Sequence, residues 1–459
     1  MKRAVLFALL LAASVPALAE TIVITGGTVA LGDGSEPIAG GTVVITDGLM
    51  VAAGGQAIRI PANATMIDAT GKWVTPGIVA GFSRLGLSDV DAVDVSNDAV
   101  ASSGPFSAAI DVAPAINPKS FAIAVSRSDG VTRAVVAPQT AKGIFAGQGA
   151  MIDLADDWNA VTRARLFQFV ELGEAGARVA GGSRASAHVL LRNALREAAE
   201  LGQFAAPIRS GGARRGEPTV PENASDPKLL SADARRSDDV LLTRFDAAAL
   251  VPVLRGRQIL MIHVERASDI LQVISLKREF PNLKLVLVGA DEGWTVADRI
   301  AAADIAVIAS ALDDLPGSFE TLAATQSNIG RLRAAGVRVS IGMINDDDTR
   351  QARLARHYAG NLVALGRVPG ASGVPWGEAL AMVTSRPAEA MGMGGEIGSL
   401  SPGHRGDVVI WSGDPLENDS AAEMVWIDGV RQPLDNRQTK LRDRYRDLSR
   451  KDLPEAYRR

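Results

Sequence analysis

The chain has 459 residues, 47% of them apolar and 22% charged, a balance that supports a sizeable core and excludes a mostly disordered polymer. Its formal charge of −4 and its 4% aromatic content leave no basic, aromatic-rich face for nucleic acid. The absence of cysteine excludes disulfides, thiolate metal sites and thiol nucleophiles, and four histidines must supply any imidazole chemistry.

Met1-Lys-Arg places two cations ahead of an apolar run from Ala4 to Val15, Pro16 breaks the run, and Ala17-Leu-Ala19 provides small residues before Glu20. This pattern predicts a secretory signal over residues 1–19, with an apolar core too short to span a bilayer. No later stretch reaches the roughly 18 continuous apolar residues of a membrane helix. The mature chain is therefore expected to be secreted without a membrane span, and periplasmic if the source is Gram-negative.

Past the leader, Thr21-Ile-Val-Ile-Thr stops at Gly26-Gly27, Thr28-Val-Ala-Leu stops at Gly32-Asp-Gly34, and Thr42-Val-Val-Ile-Thr stops at Asp47-Gly48. Short β-branched runs bounded by such dipeptides read as strands and hairpins. The same texture returns at Asp407-Val-Val-Ile-Trp411 and at Met424-Val-Trp-Ile before Asp428-Gly429. These blocks, 20–74 and 396–435, predict one small β-sandwich domain built from both chain ends. Between them, 75–395 alternates apolar strands with amphipathic helices: strands over 259–263, 283–288, 305–309 and 337–341, helices over 269–279, 294–303 and 322–335. That alternation predicts an α/β fold, a TIM-like (β/α)8 barrel, with an open doubly wound sheet as the alternative. No glycine-rich phosphate loop follows these strands, so a nucleotide is not expected. Residues 209–236 read as a long exposed loop, and 436–459 as a charged tail with Leu441, Tyr445 and Leu448 at helical spacing.

The stretch Gly71-Lys-Trp-Val-Thr-Pro-Gly-Ile-Val-Ala-Gly-Phe-Ser-Arg-Leu-Gly-Leu87 resembles the entry to the catalytic barrel of the amidohydrolase superfamily, and more narrowly of its imidazolonepropionase-like branch. Gly130-Val-Thr-Arg-Ala-Val-Val-Ala-Pro138, Gly147-Gln-Gly-Ala-Met-Ile152 and Glu396-Ile-Gly-Ser-Leu-Ser-Pro-Gly-His-Arg-Gly-Asp-Val-Val-Ile-Trp-Ser-Gly-Asp-Pro415 are similar to further signatures of that branch. The resemblance implies hydrolysis of non-peptide C–N bonds by one or two divalent metals, typically zinc, at the C-terminal end of the barrel. Such a metal makes its bound water acidic and polarises the substrate carbonyl. The implied ligands are an H-x-H pair on the first barrel strand, histidines on later strands and an aspartate after the last.

In this chain the first-strand positions are Phe82 and Arg84. An aryl ring has no lone pair and a guanidinium is a fixed cation, so neither binds a divalent ion. His263 matches a middle-strand histidine, but Glu265 stands two residues on, and 284–294 holds no histidine. Asp346 is the nearest match to the final aspartate. Three protein ligands is the usual minimum for a catalytic zinc, so no metal or other cofactor is predicted. The catalytic candidates are His263, Asp346 and Arg84. A rebuilt site would draw on His263, Glu265, Asp291 and Asp346, with Arg84 stabilising an oxyanion.

Each candidate also has an ordinary structural role. His263 suits a hydrogen-bonded core position, and Asp346–Asp348 suit the N-terminus of a helix carrying Leu354, Tyr358, Leu362 and Leu365. His188 falls in an amphipathic stretch, His357 on a solvated helix face beside Arg353 and Arg356, and His404 in a turn. The first expectation is a secreted amidohydrolase-family protein with largely replaced metal ligands. It would be catalytically impaired, or the non-catalytic partner of an intact paralogue or of its own copies. The alternatives are an active C–N hydrolase with a rebuilt site and a periplasmic protein that binds a small-molecule ligand.

Overall fold

The computed structural model describes residues 21–55, 58–90, 93–203, 241–311, 313–344 and 350–446. The expected leader, the loop 209–236, Asp346–Asp348 and the end of the charged tail lie outside the described residues.

Both chain ends enter one sheet. Its strands are β1 (Thr21–Val29), β2 (Ile38–Thr46), β3 (Leu49–Gly54), β4 (Thr65–Asp68) and β5 (Trp73–Pro76) from the N-terminal side. After the barrel, β14 (Val408–Trp411), β15 (Ala422–Ile427) and β16 (Val430–Arg431) complete it. The order is β16-β15-β14-β5-β1-β2-β3, with β4 also pairing with β1. Ile22 lies opposite Ile45 and Ile24 opposite Val43, so alternate residues of both strands reach one buried face with Val408, Ile410 and Trp426. Gly26-Gly27 does not end a strand as the sequence suggests. β1 runs through it, shifting register on either side of Gly27, because the glycines absorb an irregularity that would otherwise break the ladder.

The two Asp-Gly turns are hairpins with left-handed backbone at both residues (φ +51° and +78° at Asp47-Gly48, +51° and +74° at Asp428-Gly429). They stack on each other. A Cβ on Gly429 would lie 2.6 Å from Gly48 Cα, so the contact is open only to glycine.

The second sheet is the barrel: β6 (Ile78–Ser83), β7 (Val131–Val136), β8 (Phe145–Asp153), β9 (Val161–Glu171), β10 (Ile259–Val264), β11 (Lys284–Gly289), β12 (Ala306–Ala309) and β13 (Val339–Ile341). Neighbours follow chain order, and Met343 N–H donates to Phe82 O at 3.1 Å across the seam between β13 and β6. Val135, Met151, Phe167, Phe169, Met261, Val288 and Ile308 fill the interior, so the barrel is a packed core and not a pore. It is thus an α/β barrel of eight strands, with one departure from a regular (β/α)8 repeat: β8 pairs antiparallel with both β7 and β9. Only seven residues separate β8 from β9, too few for the helical crossover that a parallel pair requires.

Of the helices expected from periodicity, 269–279 forms as Ala267–Glu279, while the other two are shorter. Gly293–Val296 is a 3-10 turn ahead of the helix Ala297–Ala302, and Asn328–Ala334 is the helical part of 322–335. Trp411 joins the two bodies. It is fully buried, donates Nε1–H to Thr75 Oγ1 at 2.9 Å, and lies where a Cβ on Gly130 would fall 2.3 Å from its ring.

Candidate functional site

At the C-terminal ends of β6, β9, β10, β11 and β12 lies a cavity of about 650 Å³ lined by Phe82, Arg84, Glu171, His263, Glu265, Asp291 and Glu320 among others. In the parallel ladder His263 is level with Glu171 of β9, and residues level across parallel strands face the same side. His263 Nδ1 is 2.5 Å from Glu171 Oε1, and Nε2 is 2.8 Å from Glu265 Oε1. Glu265 Oε2 in turn accepts the Asp291 N–H at 2.9 Å.

The backbone is shaped to allow this. Gly289 sits at φ +87°, and a Cβ there would lie 2.1 Å from Glu265 Oε1. Ala290 follows at φ +57°, a conformation costly for a residue with a side chain. It is held by its N–H to Val264 O at 2.9 Å and by Asn328 Nδ2 donating to Ala290 O at 3.0 Å. On the opposite wall, Gly173 (φ +65°) makes room for Glu320, whose Oε2 accepts the Glu174 N–H at 2.6 Å and a bond from Arg184 Nη2 at 3.2 Å.

Charge is distributed unevenly here. Burial alone would lower the His263 pKa, but the Glu171 and Glu265 carboxylates override it and hold the imidazolium well above the usual histidine range. Asp291 goes the other way for a carboxyl. Burial, then Glu265 and Asp313, push it up to about 8, with His263 opposing. Near neutral pH the cluster therefore contains an imidazolium between two carboxylates and beside a protonated carboxyl, which is a hydrogen-bond donor and an acid of suitable strength. The Glu320 carboxyl is also raised, chiefly by burial. Phe82 and Phe169, with centroids 5.4 Å apart, form the apolar floor.

Arg84, His263, Glu265, Asp291 and Phe82 thus meet in one cavity, while Asp346 lies outside the described residues. Glu171, Glu320 and Arg178 were not singled out from sequence. Glu171 could have been, because Leu-Phe-Gln-Phe-Val-Glu171 ends an apolar strand in an acid just as Met-Ile-His-Val-Glu265 does. His357 is not on a solvated face. It is half-buried, and burial followed by Arg356 and Arg353 pushes its pKa down to about 4. The reason is Arg356, which docks that helix by donating to the carbonyls of Pro415, Glu417 and Ser420 at 2.8–2.9 Å. His404 is buried against Ser399 Oγ at 3.1 Å, and His188 lies 3.6 Å from Asp269.

The described residues do not fit a catalytic divalent ion. Phe82 and Arg84 offer no electron pair, and both ring nitrogens of His263 are engaged by carboxylates as N–H donors. Among the described residues no group of three His, Asp or Glu side chains could hold a metal ion.

Residues 295–431 match the profile of the amidohydrolase family. The chain is 25% identical over 407 residues to amidohydrolase tasK of Hapsidospora irregularis, covering 82% of this chain and spanning 38% of that protein's length. In fold it is similar to an amidohydrolase from Thermotoga maritima MSB8 (TM-score 0.72, 23% identity, 89% of this chain and 99% of that one). It is also similar, at 15% identity and a TM-score of 0.50, to an adenosine deaminase from Xanthomonas campestris with bound zinc, over 93% of this chain and 97% of that one. A prolidase complexed with N-methylphosphonate-L-proline matches at a TM-score of 0.50 and 16% identity, over 90% and 99% of the two chains.

Proposed function

We propose that this chain, whose residues 295–431 match the amidohydrolase family and whose barrel is similar in fold to an amidohydrolase, is a member of that superfamily that acts without a bound metal and takes a small polar molecule in the barrel mouth. The observation that carries this reading is the double engagement of His263 by Glu171 and Glu265. A protonated imidazole has no lone pair for a metal, and the nearby Arg84 would repel one. The same residues suit ligand recognition: Asp291 and His263 offer protons, Glu171 and Glu265 accept them, and Phe82 and Phe169 give an apolar face. In this reading the protein is secreted, as its first nineteen residues suggest, and works alone or beside an intact amidohydrolase. The test is elemental analysis of the purified protein together with its binding of small polar compounds. Substoichiometric metal that chelator treatment does not link to binding is expected. Stoichiometric zinc removed by chelator, with loss of binding, would overturn the reading.

A second reading is favoured by Asp291. As water adds to the carbonyl carbon and passes a proton to a cavity carboxylate, Arg84 can stabilise the developing oxyanion, and as the C–N bond breaks a carboxyl still protonated near neutral pH can give its proton to the leaving nitrogen. Turnover of amide or carbamate C–N bonds that is lost in Asp291→Asn and in His263→Ala would establish it. Turnover unchanged in both would remove it.

A further inference from the structure

Carboxyl groups outnumber cations around the barrel mouth, and the fold leaves some of their oxygens unused. Glu265 is fully engaged: Oε1 meets His263 and Oε2 accepts the Asp291 N–H. Glu171 gives Oε1 to His263, but its Oε2 has no hydrogen bond among the described residues. Glu320 takes both the Glu174 N–H and Arg184 on Oε2, which leaves its Oε1 in the same condition. The Asp291 side chain makes no hydrogen bond among the described residues. These three residues are 8%, 8% and 6% exposed. A carboxyl group so buried is costly without partners, yet all three open on one cavity.

They reach it from separate connections. Glu171 ends β9, Asp291 follows β11, and Glu320 lies between β12 and β13. Glu320 bonds to the backbone only three residues past Glu171, so these two carboxylates are neighbours. The segment carrying Glu320 is fixed: Thr321 Oγ1 accepts the N–H groups of Gly317 and Ser318 at 3.1 Å, and Trp294 Nε1–H donates to Ala323 O at 2.8 Å. Acceptors held in this way are preorganised for a donor. The local field has the matching sign. At Asp291 burial raises the pKa most, but repulsion from Glu265 and from Asp313 comes next, each ahead of the attraction of His263.

We infer that the barrel mouth selects an organic cation with several N–H donors, an ammonium or guanidinium group, which supplies the partners that Glu171 Oε2 and Glu320 Oε1 lack. The inference rests on the reading that the mouth takes a small polar molecule without metal, and it names the charge of that molecule.

The experiment is isothermal titration of the purified protein, at low ionic strength, with n-butylguanidinium and n-butylammonium and, for comparison, with n-butanol and butyrate. Saturable binding of at least one cation is expected, at least about tenfold tighter than either comparison compound, because charge-assisted hydrogen bonds are the stronger ones. Glu320→Gln and Glu171→Gln, each shown to be folded by circular dichroism, should weaken it about tenfold, and Glu320→Asp should recover part of the loss. Butanol or butyrate bound as tightly as the cations would overturn the inference and leave the metal-free reading standing, whereas chelator-removable stoichiometric zinc linked to binding would overturn both. Absence of saturable binding of either cation, or cation binding unaltered in both Glu320→Gln and Glu171→Gln, would also overturn the inference.

Discussion

Two cations, Arg133 buried near the start of β7 and His263 partly buried near the end of β10, are each surrounded by carboxylates, and they are used differently. Arg133 is 1% exposed and donates to both oxygens of Asp407, at 2.7 and 2.9 Å, and to Asp428 at 2.7 Å. Its planar fork supplies enough donors to hold the barrel against β14 and the β15–β16 turn at once. His263 has only two N–H groups, and Glu171 and Glu265 take both. Asp291 beside it keeps its own proton, with a pKa of about 8, because burial and then the charges of Glu265 and Asp313 outweigh the imidazolium. The comparison teaches that a cluster held by a forked, permanently charged donor locks two bodies together, while one built on an imidazole and facing a cavity retains protonation states that a ligand can use.

The sharpest break would be Arg133→Leu, which strands Asp407 and part of Asp428 without their partner. A loss of about 3–5 kcal/mol in urea unfolding is expected, and a loss under about 1 kcal/mol would show that the junction does not depend on this guanidinium.

At the other cluster the expected effect depends on pH. Since the folded pKa of Asp291 is raised to about 8, the folded chain keeps a proton that the unfolded chain releases near pH 4. Asp291 therefore makes stability fall as pH rises from about 4 to about 8, with little change outside that window. Asp291→Asn should flatten that decline and gain about 3 kcal/mol at pH 8 relative to pH 5. Parallel stability curves for parent and variant would contradict the assignment.

Asp153 sharpens the comparison on the Arg133 side. Arg133 Nη1 lies 3.7 Å from it, yet burial outweighs the Ala155 N–H and the guanidinium charge and raises its carboxyl to about 6. Asp153→Asn should stabilise the protein at pH 7 by about 1–2 kcal/mol and have no effect below about pH 4, as read from melts at the two pH values. An exposed pair sets the lower bound. Lys72 and Glu423 are about one-third exposed, so Lys72→Ala should change stability by about 0.5 kcal/mol or less.

Much of the fold was legible because local rules act where it forms. Asp47-Gly48 and Asp428-Gly429 accept left-handed backbone in any context, and the strand cores of β1, β2, β10 and β11 announce themselves by β-branched runs. The antiparallel β8 was less legible, since a continuous apolar run does not record its direction. Phe82, Arg84 and His263 were found by matching positions. Glu171 and Glu320 were not, because an acid at a strand end and an acid in a loop are commonplace until neighbours give them meaning.

Composition and local pattern alone pointed to an α/β chain with strand-rich ends and few imidazoles, and the family resemblance placed that shortage at the barrel mouth, because residue identity bounds what chemistry is possible. Tertiary structure decided the rest. Only the ladder register sets Glu171 level with His263, and only burial turns Asp291 into an acid that stays protonated near neutrality. Both depend on distance and dielectric, which arise when separate strands are brought together and water is excluded.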